Sequence, residues 1–440
     1  MRSSSALIAL FAGLFTASGC ALVGGSPGPD DDVDRRISQL EREIDALKSE
    51  KGTAAPPGGE PAAPQTASTQ TTAAPAPASS VDQPAPKPAE PMTWRVTPEI
   101  TFKPGLRLQT RYVHDGGTNN NDIAIQRFRL KASGDAWKAK YGVEMKIDGT
   151  GRTGANPSAQ VENAWLDYTI VPDLAGRAGL YDVPFSRDAL TSDSKLLFMD
   201  RSLIKDALTA FGLADNGIGV MARGRPLGGR LEYAVGAFNN DQFGGLNTSI
   251  VANGNNKRSG QVMPVGRIAV DLLDPAPQGG YADYKASYIG QGRRLSIGGN
   301  AEYLGNAENV LQDFDIYALG TDLFFNWGPY TLQAEYDFFR QTGNVDRSNW
   351  GYFVQGGYLI EPLKKSLAEV APWFPDLELA ARYQAVDAKS FSLERERRTS
   401  VGMNAYIHDH NLKVQTELSF RQLEDSADSK LYQLQLQLDF

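Results

Sequence analysis

The chain closes with Leu431-Tyr-Gln-Leu-Gln-Leu-Gln-Leu-Asp-Phe440. In extended backbone, successive side chains point to opposite faces. Tyr432, Leu434, Leu436, Leu438 and Phe440 therefore share one face, and Gln433, Gln435, Gln437 and Asp439 share the other. Period two holds without a break to the last residue, which is aromatic. One side of this strand suits an apolar surrounding, and the other suits water or polar partners.

The same texture fills the chain from Trp94 onward. Trp137, Ala139, Tyr141, Val143, Met145 and Ile147 alternate with Lys138, Lys140, Gly142, Glu144 and Lys146. Leu412, Val414, Thr416, Leu418 and Phe420 alternate with Lys413, Gln415, Glu417, Ser419 and Arg421. The pattern predicts sixteen strands, the first beginning near Ile100 and most close to the roughly 10 residues that cross a bilayer when tilted. Brief turns are predicted at Ser133–Ala136, Pro172–Ala175, Pro226–Gly229, Trp327–Pro329 and Asp409–Asn411. Longer connections are predicted at Asp115–Asp122, Gly149–Gln160, Pro184–Asn216, Asn239–Ser259, Thr342–Ser348 and Ala388–Glu394. This alternation of long and short implies one barrel with its turns and both chain ends on the periplasmic side. Two connections on the short side, near Asp274–Gly290 and Glu361–Pro375, are too long for tight turns. The expected fold is all-β, a sixteen-stranded antiparallel transmembrane β-barrel over residues 93–440. A chain that is 41% hydrophobic can sit in lipid this way, because half of its strand residues face the lumen. The 44 glycines and 17 tyrosines suit its turns and aromatic girdles. The final strand resembles the C-terminal strand of bacterial outer-membrane barrels, in which the last aromatic belongs to the signal read by the barrel-assembly machinery. Phe440 would play that part.

Three segments precede the barrel. Residues 1–19 carry one arginine, an apolar stretch from Ala6 to Phe15 and then small residues, the pattern of an export signal. Ala17-Ser18-Gly19-Cys20 also reads as a lipobox. Cys20 is then the first mature residue and a lipidation candidate, and it is the only cysteine. Residues 30–51 predict a short coiled-coil helix, with Val33, Ile37, Leu40, Ile44 and Leu47 on one seam and Arg36–Glu41 and Glu43–Lys48 as opposite-sign pairs. Residues 52–92, rich in Pro and Ala, read as a disordered linker with polyproline character.

Composition excludes several classes. Net charge is -8, and residues 93–440 keep 37 basic against 41 acidic residues, which is no polyanion-binding footprint, so no nucleic acid is expected. The histidines, His114, His408 and His410, form no metal-spaced cluster, and His408 and His410 are expected to be solvent-exposed beside a turn. No histidine lies near a serine motif of a barrel hydrolase, so no enzymatic activity and no cofactor are expected.

The lumen face follows from strand phase. On the first three strands it carries Arg107, Arg111, Arg127, Arg129, Lys131, Lys138, Lys140 and Lys146, with only Glu144 and Asp148 as acids. Arg223 and Arg225 share the inward phase of the sixth strand. Later strands interleave Asp271, Glu302, Glu335, Asp337, Glu378 and Glu417 with Arg267, Arg294, Arg382, Arg398, Lys413 and Arg421. One wall is therefore basic and the other mixed, an arrangement that sorts solutes by charge. The longest connection, Pro184–Asn216, holds Leu196, Leu197, Phe198 and Met199, which need burial. Folding into the lumen would supply it and would form a constriction carrying Arg187, Lys195, Arg201 and Lys205.

Gly179-Leu-Tyr-Asp-Val-Pro-Phe185, Leu190-Thr-Ser192, Phe198-Met-Asp-Arg-Ser202, Asp215-Asn-Gly-Ile-Gly-Val220 and Tyr233-Ala-Val-Gly-Ala-Phe-Asn239 resemble the phosphate-selective porins O and P. Trp373 and Leu377-Glu-Leu-Ala-Ala-Arg-Tyr383 resemble that family's later Trp-x-Leu-x-x-Arg-Tyr stretch. The resemblance implies a homotrimer in the bacterial outer membrane, a third loop folded into each lumen, and arginines and lysines that take phosphate-like anions. The family often has Glu where this chain has Asp200, and the third loop mixes acids with its bases. The expectation is therefore passive diffusion of small solutes and ions with modest anion preference, phosphate or polyphosphate among them. The alternative is a lipid-tethered structural barrel whose periplasmic coiled coil links the outer membrane to another envelope component.

Overall fold

A computed structural model describes residues 92–147, 159–239, 262–275, 283–309, 312–343, 346–361, 366, 371, 373–388, 395–424 and 426–440. The expected signal peptide, Cys20, the coiled coil and all but the last linker residue lie outside these.

A four-residue strand, β1 (Trp94–Thr97), leads in and pairs with the start of β2. The barrel strands are β2 (Ile100–Asp115), β3 (Asn120–Ala136), β4 (Ala139–Lys146), β5 (Gln160–Val171), β6 (Leu174–Asp182), β7 (Asn216–Gly224), β8 (Leu231–Asn239) and β9 (Val262–Asp271). They continue with β10 (Arg293–Asn309), β11 (Gln312–Trp327), β12 (Tyr330–Gly343), β13 (Arg347–Leu359), β14 (Asp376–Asp387), β15 (Glu396–His408), β16 (Leu412–Leu423) and β17 (Ser429–Asp439). Each pairs antiparallel with its sequence neighbours, and β17 returns to β2 with Leu438 opposite Leu108. Closure removes the sheet edges that lipid cannot satisfy. The last residue completes the seam, since Phe440 N donates to Leu106 O (3.0 Å) and Leu106 N donates to Phe440 O (2.9 Å).

The period-two reading fixes the faces. On β17, Gln433, Gln435, Gln437 and Asp439 are buried inside, while Tyr432, Leu434, Leu436 and Leu438 are exposed on the outer wall. Exposed aromatics gather at both ends of that wall. Trp137, Tyr168, Trp327, Tyr330 and Tyr358 stand at the turn end, and Tyr317, Tyr336, Tyr383 and Tyr432 stand toward the loop end, as the two girdles of an outer-membrane barrel do.

Several boundaries differ from the sequence expectation, and the turn expected at Pro172–Ala175 is 172–173 because β6 begins at Leu174. Ser133–Ala136 belong to β3, and the turn is Trp137–Lys138. Gly134 lies in the expected turn, but its role is close approach, because a Cβ there would collide with Thr101 O. The connection expected at Asp115–Asp122 shrinks to 116–119, because pairing runs on to Asp115 opposite Asn120. The long connections expected near Gly149–Gln160, Asn239–Ser259 and Ala388–Glu394 fall largely outside the described residues.

The lumen is filled on one side. The connection from β6 to β7 carries α1 (Arg187–Leu190), a 3-10 turn (Asp193–Lys195) and α2 (Leu203–Ala210). Its Phe185, Ile204, Leu208, Phe211 and Leu213 are buried against inward-facing Phe238, Met263, Ile316, Phe339 and Phe353. Phe211 meets Phe339 edge-on at 4.7 Å. Residues 283–291 of the connection between β9 and β10 also enter the lumen, from the opposite end, burying Tyr284, Ala286, Ser287, Tyr288 and Ile289. That explains why the segment near Asp274–Gly290 exceeds a tight turn. Its docking buries His410, expected to be exposed, whose Nε2 contacts Ser287 O at 2.9 Å. Burial, with Lys413 beside the ring, pushes the pKa of His410 down to about 3 and keeps it neutral, so Nε2–H is the donor. His408 is exposed, as expected.

Candidate functional site

In the stretch Phe198–Ser202 the first three residues tie the loop to the wall and the last two tie it to itself. The Phe198 ring lies 4.5 Å from the Arg382 guanidinium. Met199 O accepts from Arg111 Nη2 (3.0 Å), and both Asp200 carboxylate oxygens accept from Arg111 Nη1 (2.8 Å each). Asp200 O accepts from Arg382 Nη1 (2.9 Å). Arg201 turns inward on its own loop, donating to the carbonyls of Asp188 (3.2 Å), Ala189 (3.2 Å) and Thr191 (2.6 Å) and pairing with Asp193. Ser202 donates through both N and Oγ to Asp188 Oδ2 (2.8 Å each) and caps α2. Further along the wall, Lys413 Nζ donates to Leu196 O, Asn404 Nδ2 to Leu197 O and Gln437 Nε2 to Ser194 O, each at 3.0 Å. Of the glutamines of the opening stretch, Gln437 thus meets loop backbone, while Gln435 donates to Gln415 Oε1 (3.3 Å) and Gln433 to Asp200 Oδ2 (3.5 Å).

The basic residues singled out from strand phase separate into groups. Arg107, Arg111, Arg127, Arg129, Lys131 and Lys146 lie together on the inward faces of β2, β3 and β4, and all are buried or partly buried. Lys140 shares their phase but stands at the turn-end rim, 61% exposed, 3.9 Å from Asp135. Lys138 is an exposed turn residue outside any strand, because the turn lies later than expected. Arg223 pairs with Asp167, beside Arg177 (2.8 Å from the same carboxylate). Arg225 pairs with Glu232. In the loop, Arg187 is buried with its guanidinium 4.4 Å from the Tyr284 ring and 4.2 Å from Phe324. Lys195 pairs with Asp283, and Lys205 is half-buried facing an open cavity.

The wall is less one-sided than its own strands imply. Arg107 contacts Asp439 (3.1 Å) and Asp193 (3.7 Å), Arg127 contacts Asp193 (3.1 Å), and Lys131 contacts Asp439 (2.6 Å). Arg129 contacts Glu144 (3.4 Å) and Glu162 (3.2 Å), and Lys146 contacts Glu162 (3.4 Å). With Arg201 included, seven cations meet five carboxylates: Asp193, Asp200, Asp439, Glu144 and Glu162. The expected ratio of eight to two omitted acids from neighbouring elements. Barrel closure could have supplied Asp439, which shares the inward phase of the last strand beside the first. Asp193 and Asp200 could not be placed without the path of the loop.

Electrostatics at the loop follow from this crowding. Burial alone would raise the Asp193 pKa, but Arg127, Arg201 and Arg107 outweigh it and hold the carboxyl well below the usual range. Asp200 shows the same balance, with burial opposed by Arg111 and Arg127, and its pKa falls to about 2. Burial would lower Arg201, yet Asp193 and Asp188 hold it above its ordinary value. Between this loop and the β4–β7 wall a polar cavity of about 250 Å³ remains. Arg107, Arg177, Arg201 and Lys205 line it, together with Glu144, Glu162, Asp182, Asp193, Asp215 and Asp283 and the rings of Trp165 and Tyr181.

Residues 102–440 match the family model described as phosphate-selective porin O and P. The chain belongs to that family. This porin is 25% identical over 382 residues to an uncharacterized protein of Aquifex aeolicus strain VF5, covering 79% of this chain and 86% of that protein. Its fold is that of the anion-selective porin from Comamonas acidovorans, at TM-score 0.55 and 13% identity, covering 78% of this chain and 100% of that one. It is also similar to Pseudomonas putida OprB in its high-pH structure, at TM-score 0.50 and 11% identity, covering 78% and 94%. The porin is an outer-membrane channel, and in such barrels the short turns face the periplasm and the longer loops face outward.

Proposed function

We propose that the porin passes small solutes and ions by passive diffusion through a lumen constricted by residues 183–215, with a modest preference for anions. The observation that carries this reading is the cluster in which six cations of β2, β3 and β4, with Arg201 of the loop, outnumber the five carboxylates they meet. Residues 93–440 as a whole are acidic, with 37 basic against 41 acidic residues, but at physiological salt the Debye length is about 8 Å, so charges near the path dominate over distant ones. Guanidinium groups suit phosphate-like oxyanions. Here each already holds a carboxylate, so an incoming phosphate or polyphosphate competes with protein acids, and the preference is modest. Assembly as a homotrimer follows from the family resemblance, and Phe440 at the barrel seam suits recognition by the assembly machinery. β1 leads into β2 at the turn end, which supports a periplasmic course for the residues before it.

Replacing Arg127, Arg129 and Lys131 with Gln leaves four cations against the same five carboxylates. The reversal potential in a chloride gradient should then move to the cation side. The shift should shrink at 1 M salt, where the screening length is about 3 Å. A wild-type channel that already prefers cations would contradict the anion reading.

A further inference from the structure

We propose that residues 283–291 form a second constriction on the periplasmic side, interlocked with residues 183–215, and that the two together confine solutes to a path along β4–β7. The inference rests on the reading of the loop as a constriction. Three sets of contacts carry it.

The first fixes the segment to the wall. Tyr284 Oη donates to Glu232 and accepts from Arg267 Nε (3.1 Å), and Arg267 is itself held by Asp322 (2.6 Å) and Asn300 (2.9 Å). Burial pushes the Tyr284 phenol up, so it stays protonated and can donate. Ser287 Oγ donates to Glu378 Oε1 (2.8 Å), Ser287 O accepts from His410, and Ile289 packs with Leu359 and Tyr406. Arg294 stacks 3.7 Å from the Tyr288 ring.

The second fixes the segment to the loop. Ala286 N donates to Lys195 O (3.0 Å), Asp283 pairs with Lys195, Ala286 packs with Leu197 and Phe198, and Arg187 stacks on Tyr284. A rim decoration would not bury its backbone against a loop that enters from the opposite end of the barrel.

The third concerns what stays open. Between them the two segments contact inward residues of β2, β3 and β8–β17, and the remaining cavity lies on the β4–β7 side. Asp283 borders that cavity, 55% exposed. The segment therefore adds one carboxylate to the path as well as narrowing it.

The test is single-channel recording of the full-length chain with Asp283–Ile289 deleted, beside a channel lacking Asp188–Asp206. Conductance should rise roughly twofold in each deletion, because each clears part of the lumen. If only the 188–206 deletion raises it, the second constriction is refuted and the loop reading stands. If neither does, both fail. Asp283→Asn should move the reversal potential toward the anion side, and an unchanged value would remove Asp283 from the path. Should the segment deletion not insert, Lys195→Cys with Ala286→Cys in a Cys20→Ser background keeps the whole chain. Oxidation should link the pair and leave conductance at the wild-type value. Failure to link, or a large drop on linking, would show that the two segments are not in contact in the conducting channel.

Discussion

Asp193 sits among Arg107, Arg127 and Arg201, and three guanidiniums around one carboxylate leave the spot positive on balance. Asp193→Asn removes the single charge that these arginines share. The expected result is a reversal potential shifted toward anions, read in a chloride gradient, with some loss of loop order because buried like charges then face one another. A shift toward cations would mean that the arginines lie off the ion path. Arg111 has a different part, since its Nη1 serves both oxygens of Asp200 and its Nη2 serves the Met199 carbonyl, so it positions the loop. The sequence marked both Arg111 and Arg107 as inward cations, and strand phase was enough for that. It did not show that each would be buried under the loop, because phase gives a direction and not a partner.

The element that matters most is the loop between β6 and β7, held on two sides by different physics. Toward β2 and β3 it is held by Asp193 and Asp200, and toward β8–β14 by apolar packing. Both carboxylates have pKa values below that of an unfolded aspartate, near 3.9. Their stabilisation is therefore complete above about pH 4 and is lost as pH falls through the folded values, about 2 for Asp200. Conductance should be flat from neutral pH to about pH 5 and should rise only below about pH 4. The rise should stay smaller than that of the loop deletion, because acid leaves the apolar contacts intact. A change centred near pH 6 would assign loop docking to other groups. Sequence reading found the loop from its length and its run Leu196–Met199. The surface that receives it was also visible, though unread: Ile316, Ala318, Phe339 and Phe353 are apolar at inward positions, where a water-filled lumen would call for polar residues. Strands apolar on both faces signal burial on both sides. The second inward segment gave only one cue, a connection too long for its side, since its anchors Tyr284, Ser287 and Tyr288 look like ordinary loop residues.

At the scale of the whole molecule, the period of the last ten residues extends around the entire barrel. Sixteen strands and their order were legible because lipid outside and polar groups inside impose one alternation everywhere. Turn positions were less so, as Gly134 shows, because a glycine needed for close approach looks the same as one needed for a turn. Phe440 exchanges two backbone hydrogen bonds with Leu106 at the seam, so its removal should lower the yield of folded barrel in the outer membrane, measured as the heat-modifiable fraction on gels. An unchanged yield would deny the last residue any part in closure or assembly. The central claim is that a closed barrel is narrowed from within by residues 183–215. Its most direct test is the single-channel conductance of the protein lacking Asp188–Asp206, compared with wild type in the same chloride solution. The account predicts a clear increase from a properly inserted barrel, and unchanged conductance in that barrel would contradict it.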